Sequence, residues 1–357
     1  VIGGDRAGSS RRFRHEAAFC SAPEQFVDQA RTFALDGLAA GEPVMAVVSS
    51  VKIQRLSAAL GDAAGGVSFH DLAQIGGNPA RLIPVWQQFV SGSGTPGRRC
   101  RGIAEPAVPG GTEAELAECW QHETLLNLAF DTSDFWLMCS YDRSSLEPSV
   151  VEDARSHHPF FVEDDHSTVN EQYTDGASPA LAALSARLAS PPPEAESLVF
   201  GAGNLGEVRG LVAARAAVLG TISPPEELVI AVNEVATNSI RHGGGSGVVL
   251  VWNEPGSLVC EIRDSGEITD PLVGRRRPSP DSAGGRGLWI ANQLCDLVQI
   301  RSGAGGSVVR LHSRTVPRAA SQVSQDPTPP TTDRGPAPWR RAGVSDSGRA
   351  TGRPASG

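Results

Sequence analysis

The chain lacks any apolar run approaching the roughly 18 residues that a membrane-spanning helix needs. Its opening stretch, VIGGDRAGSSRRFRHE, has no apolar segment of the kind that secretory signals carry, so no secretory signal is expected. Val1 stands first in place of Met, as a GTG start codon read literally or a truncated chain would give. The six cysteines (Cys20, Cys100, Cys119, Cys139, Cys260, Cys295) include no C-x-x-C pair. That spacing argues against a zinc site and a disulfide framework, and it fits a reducing cytoplasm. Lysine is nearly absent. Lys52 is the only one among 31 basic residues, a bias expected of GC-rich coding. A net charge of −9 disfavours nucleic-acid binding by bulk electrostatics.

What is present is enough for folded cores. Hydrophobic residues make up 40% of 357, and that length accommodates two domains, perhaps three. The segment Arg314–Gly357 has seven prolines, seven arginines and no Leu, Ile or Phe. It cannot bury enough apolar surface to offset its ordering entropy, so a disordered tail is expected. A second break lies around Pro191-Pro-Pro193, which cannot continue a helix. The expected division is therefore a domain over 12–165, a linker over 166–195, a second domain over 196–313, and the tail over 314–357. The linker is expected to fix a spacing without forming a rigid interface.

The first half alternates strand-like runs (Val44–Val48, Arg101–Glu105, Phe135–Cys139) with helical patterns (Pro23–Ala40, Pro79–Val90, Glu113–Phe130). That order predicts an α/β domain with a largely parallel sheet. The second half predicts helices on one face of a mixed or antiparallel sheet. Its helices are Leu205–Leu219, a second one opened by Ser223-Pro-Pro-Glu226 as a capping box and stopping at Gly243, and Leu288–Cys295.

One constellation in the second half carries chemistry. Glu234 and Asn238 are four apart and share a helix face. A carboxylate and an amide so placed can activate a hydroxyl and hold a hard cation. Asp264-Ser-Gly266 ends an apolar strand, where an Asp can accept a hydrogen bond from an exocyclic amine and Gly266 lets a flat ring approach. After a Gly/Pro/Arg-rich loop, Gly284-Gly285-Arg286-Gly287 opens a helix whose free N–H groups and dipole suit phosphate.

EELVIAVNEVATNSIRHGG, EIRDSG and GGRGLWIANQLCD, in this order, resemble the N, G1 and G2 boxes of the GHKL ATPase superfamily, and within it the RsbW-type anti-sigma factors that are also serine-protein kinases. The resemblance implies a Bergerat fold, with ATP and Mg²⁺ as cofactors and loop 267–283 as a mobile lid. It implies Glu234 as general base, Asn238 as Mg²⁺ ligand and Asp264 as adenine contact. Gly266, Gly284, Gly285 and Gly287 would line the nucleotide, with Arg286 among the cofactor-binding residues. Ile268 departs from the G1 pattern Asp-x-Gly-x-Gly, which implies a stiffer lid hinge.

In the first half, FRHEAAFC, LAAGEPVMAVV, GGNPARLIPVWQQFV, RGIAEP, CWQHETLLNLAF and FWLMCSYD resemble the MEDS sensory domain, over about 14–159. That implies a RecA/KaiC-like sheet used for sensing. Ser49-Ser-Val-Lys52 follows the first strand-like run, and this is not a phosphate-binding loop, so no nucleotide is assigned here. His15-Glu16, Glu105, His122-Glu123 and His157-His158 are the polar candidates. Capping, core hydrogen bonds or surface explain them, or else a ligand pocket, metal or haem site with Cys119 and His122 on one face.

The function these resemblances imply is an ATP-binding anti-sigma factor and serine-protein kinase under sensory control. Its partners would be a sigma factor, a STAS-type antagonist and an unidentified small ligand at the N-terminal domain. A homodimer is one form it could take, with neither nucleic acid nor membrane as partner. A non-catalytic ATP-gated binding module is the alternative. A sensor histidine kinase is a weaker one, because Pro191-Pro-Pro193 interrupts the short stretch where a phosphoacceptor hairpin would stand.

Overall fold

The computed structural model describes residues 13–93, 98–105, 111–163, 166–174, 177–279 and 285–316. Gly284, lid residues 280–283 and the tail from residue 317 onward lie outside these.

The first part runs β1 (Phe13–Cys20), α1 (Pro23–Ala39), β2 (Val44–Val48), α2 (Ser50–Leu60), β3 (Val67–Asp71), α3 (Leu72–Ile75), α4 (Leu82–Gly92), β4 (Cys100–Ala104), α5 (Glu113–Ala129), β5 (Phe135–Asp142), α6 (Pro148–His157), β6 (Phe160–Glu163) and β7 (His166–Val169). The seven strands order β3-β2-β4-β5-β1-β6-β7, and every pairing but β6–β7 is parallel. Parallel strands need crossover helices, and these cover both faces. One core holds Trp86, Leu125, Phe130 and Phe135. The other, across the sheet, holds Phe26, Ala30, Leu56 and Ile103. Where a phosphate loop would present its backbone, Glu105 accepts a hydrogen bond from Ser49 N (2.8 Å) and pairs with Lys52 Nζ (2.9 Å). A resident carboxylate holds the anion position at the start of α2.

The second part runs α7 (Ala177–Ser185), β8 (Glu196–Gly201), α8 (Leu205–Leu219), α9 (Pro225–His242), β9 (Ser246–Glu254), β10 (Ser257–Asp264), α10 (Arg286–Leu294), β11 (Leu297–Gly303) and β12 (Gly306–Arg314). Its strands order β11-β12-β10-β9-β8, antiparallel throughout. Alternation sends Leu258, Cys260, Ile262, Val309 and Leu311 toward α8, α9 and α10, where they form one core with Val212, Leu228 and Val235. The opposite face carries Glu261, Gln299, Arg310 and His312, all buried.

Several expectations are corrected. Ser223 does not cap α9; Pro224 holds that position with no side-chain bond, and Pro225 fills the first turn. The capping box instead opens α5, where Thr112 Oγ1 accepts from Glu115 N and Glu115 Oε2 accepts from Thr112 N. His166–Val169, expected in the linker, pairs with β6 as an edge strand. Arg314, expected in the tail, closes β12. The two halves also meet through buried groups. Ala180 of α7 lies in the core of the first half and Leu184, one turn on, in that of the second. Asn78 Nδ2 donates to Asn292 O and Oδ1 (3.1 and 3.0 Å), and Arg81 Nη2 to Cys295 O (2.8 Å).

Candidate functional site

The helix α9 and the ends of β10 and α10 converge. Glu234 and Asn238 lie half-buried on one face of α9. A Cβ on Gly287 would stand 2.7 Å from Asn238 Nδ2 and 3.3 Å from Glu234 Oε2, so only glycine lets the start of α10 approach this closely. Gly285 precedes α10 as its N-cap with φ +80°, a left-handed conformation that suits glycine. Arg286, the first helical residue, is exposed. Gly284 lies outside the described residues.

Asp264, at the end of β10, is held by three donors. Ser239 Oγ, from α9, donates to Oδ2 (2.6 Å); Ser307 Oγ (2.7 Å) and Gly266 N (2.8 Å) donate to Oδ1. A carboxylate offers about four lone-pair sites, which leaves one for an exocyclic amine. Gly243 and Gly266 close in on this group. A Cβ on Gly243 would meet Asp264 Cγ at 2.4 Å, and one on Gly266 would meet His242 O at 2.7 Å. Anchored acceptor, glycine-lined wall and helix N-terminus are the parts that an ATP site would need, and Asn238 beside Glu234 would hold Mg²⁺ through its amide oxygen. The residues present fit the cofactor pair. Ser239 and Ser307 were not among the expected site residues. Ser307 faces Asp264 only through strand pairing across 43 positions, which no local motif reveals.

The lid departs from expectation over its described part, 267–279. It is anchored. Leu272 is buried in the core of the first half. Ile268 donates its N–H to Ser302 Oγ (2.7 Å), and Asn292 Nδ2 donates to Gly274 O (3.0 Å). Arg275 is 2% exposed, and its Nη2 meets Glu118 Oε2 of α5 at 2.7 Å. The other Glu118 oxygen takes Arg301 Nη2 of β11 at 2.8 Å, while Arg301 Nη1 donates to Gln121 Oε1 (2.9 Å). Burial pushes the Arg275 guanidinium down, and Glu118 opposes that shift.

Of the polar candidates of the first half, His15 of β1, Glu123 of α5 and His158 just after α6 come together in the interior, joined by Cys139 of β5, which was not a candidate. His15 Nε2 lies 3.1 Å from Glu123 Oε2 and 3.3 Å from Cys139 Sγ; His158 Nε2 lies 3.2 Å from Glu123 Oε2. Glu16 stands apart, with Arg14 Nε and Ser167 Oγ. His157 stacks on Trp120, and His122 with Cys119 remains outside the cluster. Burial lowers the His122 imidazole to about 4 and raises the Cys119 thiol to about 12. Among the described residues no helix is long and apolar enough to cross a membrane.

No curated protein matches the chain. Among solved structures it is similar to the RsbU and RsbW domains of Rv1364c from Mycobacterium tuberculosis, at 21% identity and a TM-score of 0.25, over 34% of this chain and 32% of that one. The match therefore spans about a third of that relative's length. It is also similar to the histidine kinase AdeS of Acinetobacter baumannii, at 10% identity and a TM-score of 0.21, over 34% of this chain and 68% of that one. Residues 14–159 match the family model of the methanogen/methylotroph DcmR sensory domain, MEDS, and residues 202–313 that of the histidine kinase-like ATPase domain. The chain thus carries a MEDS sensory domain followed by a histidine kinase-like ATPase domain, the make-up of a signalling regulator.

Proposed function

We propose that this regulator is a cytoplasmic, ATP-binding anti-sigma factor and serine-protein kinase. It would sequester a sigma factor and phosphorylate a STAS-type antagonist, under control of its RecA/KaiC-like sensory half. The observation that carries the reading is the convergence of Glu234, Asn238 and Gly287 beside an Asp264 held by three donors.

ATP, when bound with Mg²⁺, supplies the γ-phosphoryl group and the charge neutralisation that phosphoryl transfer needs. Asp264 holds the adenine amine through its remaining lone pair. Asn238 offers its amide oxygen to the metal. Glu234 orients the incoming serine hydroxyl and takes its proton as the new O–P bond forms and the bond to the leaving ADP breaks. The N–H groups after Gly285 receive phosphate oxygens. Control would run through the lid. While Arg275 stays on Glu118 and Leu272 in the sensory core, the loop is held on the first half and is not free to close over nucleotide.

The histidine-kinase alternative finds little support. His157 ends the ten-residue α6, His158 is buried, and His166 lies on an edge strand. None of these stands on a long helix. Radiolabelled ATP with the purified antagonist tests the kinase reading. Glu234→Gln should keep ATP binding while transfer falls by about 10²–10⁴-fold, and the label on the antagonist should be acid-stable. Intact ATP binding with no transfer would refute the kinase and leave the binding module. An acid-labile label on the chain itself would point to the histidine kinase.

A further inference from the structure

The buried cluster in the sensory half plays no part in the ATP reading, and its polar atoms do not satisfy one another. His158 Nδ1 lies 2.7 Å from Ala154 O, and a carbonyl only accepts, so Nδ1 carries the hydrogen. His15 Nδ1 lies 3.2 Å from Asn127 Oδ1. Asn127 Nδ2 is committed as donor to Glu123 O and His157 O (3.2 and 3.0 Å), which fixes the amide and makes His15 Nδ1 a donor too. Both Nε2 atoms then turn toward Glu123 Oε2, at 3.1 and 3.2 Å.

Two ways of filling this arrangement with protons alone are poor. If both rings are neutral, each Nε2 presents a lone pair to a carboxylate oxygen. If both are imidazolium, two cations stand with ring centroids 4.1 Å apart in a dry interior against one anion. A single proton, on Glu123 or on one ring, would serve one Nε2 and leave the other facing that oxygen, except that His15 Nε2 can also accept from the Cys139 thiol at 3.3 Å. In agreement, both Glu123 oxygens and His158 Nε2 are buried without a hydrogen-bond partner.

The geometry points to a closed binding site for one divalent transition-metal ion of the Zn²⁺ class, with His15 Nε2, His158 Nε2, a Glu123 oxygen and Cys139 Sγ as ligands. The four donor atoms lie within 4.8 Å of one another and all four residues are buried. A tetrahedral ion with bonds of about 2.0–2.3 Å spaces its ligands at about 3.3–3.8 Å, close to the separations present. The Nδ1 hydrogen bonds to Asn127 and Ala154 are the outer contacts that orient metal-binding imidazoles. Two imidazoles, a carboxylate and a thiolate suit an ion of intermediate softness. Binding converts the Cys139 thiol to thiolate and releases its proton to solvent. The absence of C-x-x-C pairs speaks only to local spacing, and these ligands come from β1, α5, β5 and the residue after α6.

The test uses the full chain. Elemental analysis after growth with added zinc should find about one ion per chain. The chelated protein reloaded with Co²⁺ should show thiolate-to-metal charge-transfer absorption. Cys139→Ser should abolish that absorption, and His158→Gln should weaken metal affinity by more than the roughly 10–100-fold typical of outer contacts alone. His122→Gln, one residue from Glu123 but outside the set, should keep the metal. Circular dichroism separates metal loss from unfolding. Zinc-free protein that shows no charge-transfer band with Co²⁺ overturns the site, and so does a band that persists in folded Cys139→Ser.

Discussion

Glu118→Gln should release the lid. Glu118 is fully buried and accepts from two guanidinium groups, Arg275 of the lid and Arg301 of β11, at 2.7 and 2.8 Å. The amide keeps the shape but removes the carboxylate charge that pairs with both buried guanidinium groups. Breaking a buried pair in this way costs about 3–5 kcal/mol. Arg301 stays on its strand whether the lid is docked or not, so only the Arg275 share bears on docking; the lower figure, about 3 kcal/mol, is the better measure. Leu272 continues to oppose release through its burial, worth roughly 1.5–3 kcal/mol. The open population should therefore rise by about 10²-fold without the protein unfolding. Hydrogen exchange reads this directly. Ile268, Leu272, Val273 and Arg275 have their amides bonded to Ser302 Oγ, Asp270 Oδ1, Asp270 O and Leu272 O, and these should lose about 10²-fold in protection. The amides of α9 and β10 should not change. Unaltered protection over 268–275 would refute the latch, and an equal loss across α9 would show a general destabilisation.

Three further outcomes follow from the same geometry. Asp264→Asn should weaken ATP binding by about 10–100-fold, since charge-assisted hydrogen bonds are worth about 1.5–3 kcal/mol; isothermal titration at unchanged affinity would sink the adenine assignment. The full chain should bind one ATP, because the Glu105 carboxylate occupies the anion position at the start of α2 and pairs with Lys52; a second nucleotide per chain would contradict it. Burial holds the His312 imidazole down to about 4 against 6.5 when unfolded. Between those values the unfolded chain takes up the proton and the folded one does not, so stability is complete above pH 6.5 and falls as pH drops toward 4, by up to about 3 kcal/mol. Denaturation midpoints across that window should fall less steeply in His312→Gln, and an identical slope would exclude the residue.

The parts of the molecule legible in the sequence are those written locally. The runs Val44–Val48 and Phe135–Cys139 are apolar on both faces and became central strands β2 and β5. The helix α8 ends at Gly220, in the left-handed conformation, where the pattern stops. The strand β3, VSFHD, carries no clear strand pattern because it sits at the sheet edge and buries little besides Val67. The glycines and carboxylates of the second half follow one another in a readable order, since a helix, a turn and a helix start present them in sequence. What joins distant segments was hidden. Glu118 and Arg275 are 157 positions apart, and His15, Glu123, Cys139 and His158 come from three elements and the residue after a fourth. The loop after Gly266 reads as mobile from its Gly, Pro and Arg content, yet Leu272 fills a place in the other half's core. Composition describes what a segment can bury and not what is offered to it.

The outer face of the five-stranded sheet has a consequence of a different kind. Its buried Glu261, Gln299, Arg301, Arg310 and His312 are side chains that water would also accept. A contact made of such groups exchanges protein hydrogen bonds for solvent ones when it parts, at a small net free energy per bond. Two halves held by a greasy seam would stick permanently or aggregate once opened. The halves meet through polar groups, Arg275 and Arg301 on Glu118 and Asn78 on Asn292, with Leu272 and Ala180 as apolar pins, so a surface bared by their parting would be wettable. The side chains that look wasted in an interior are the ones that would keep its surfaces wettable if it parted.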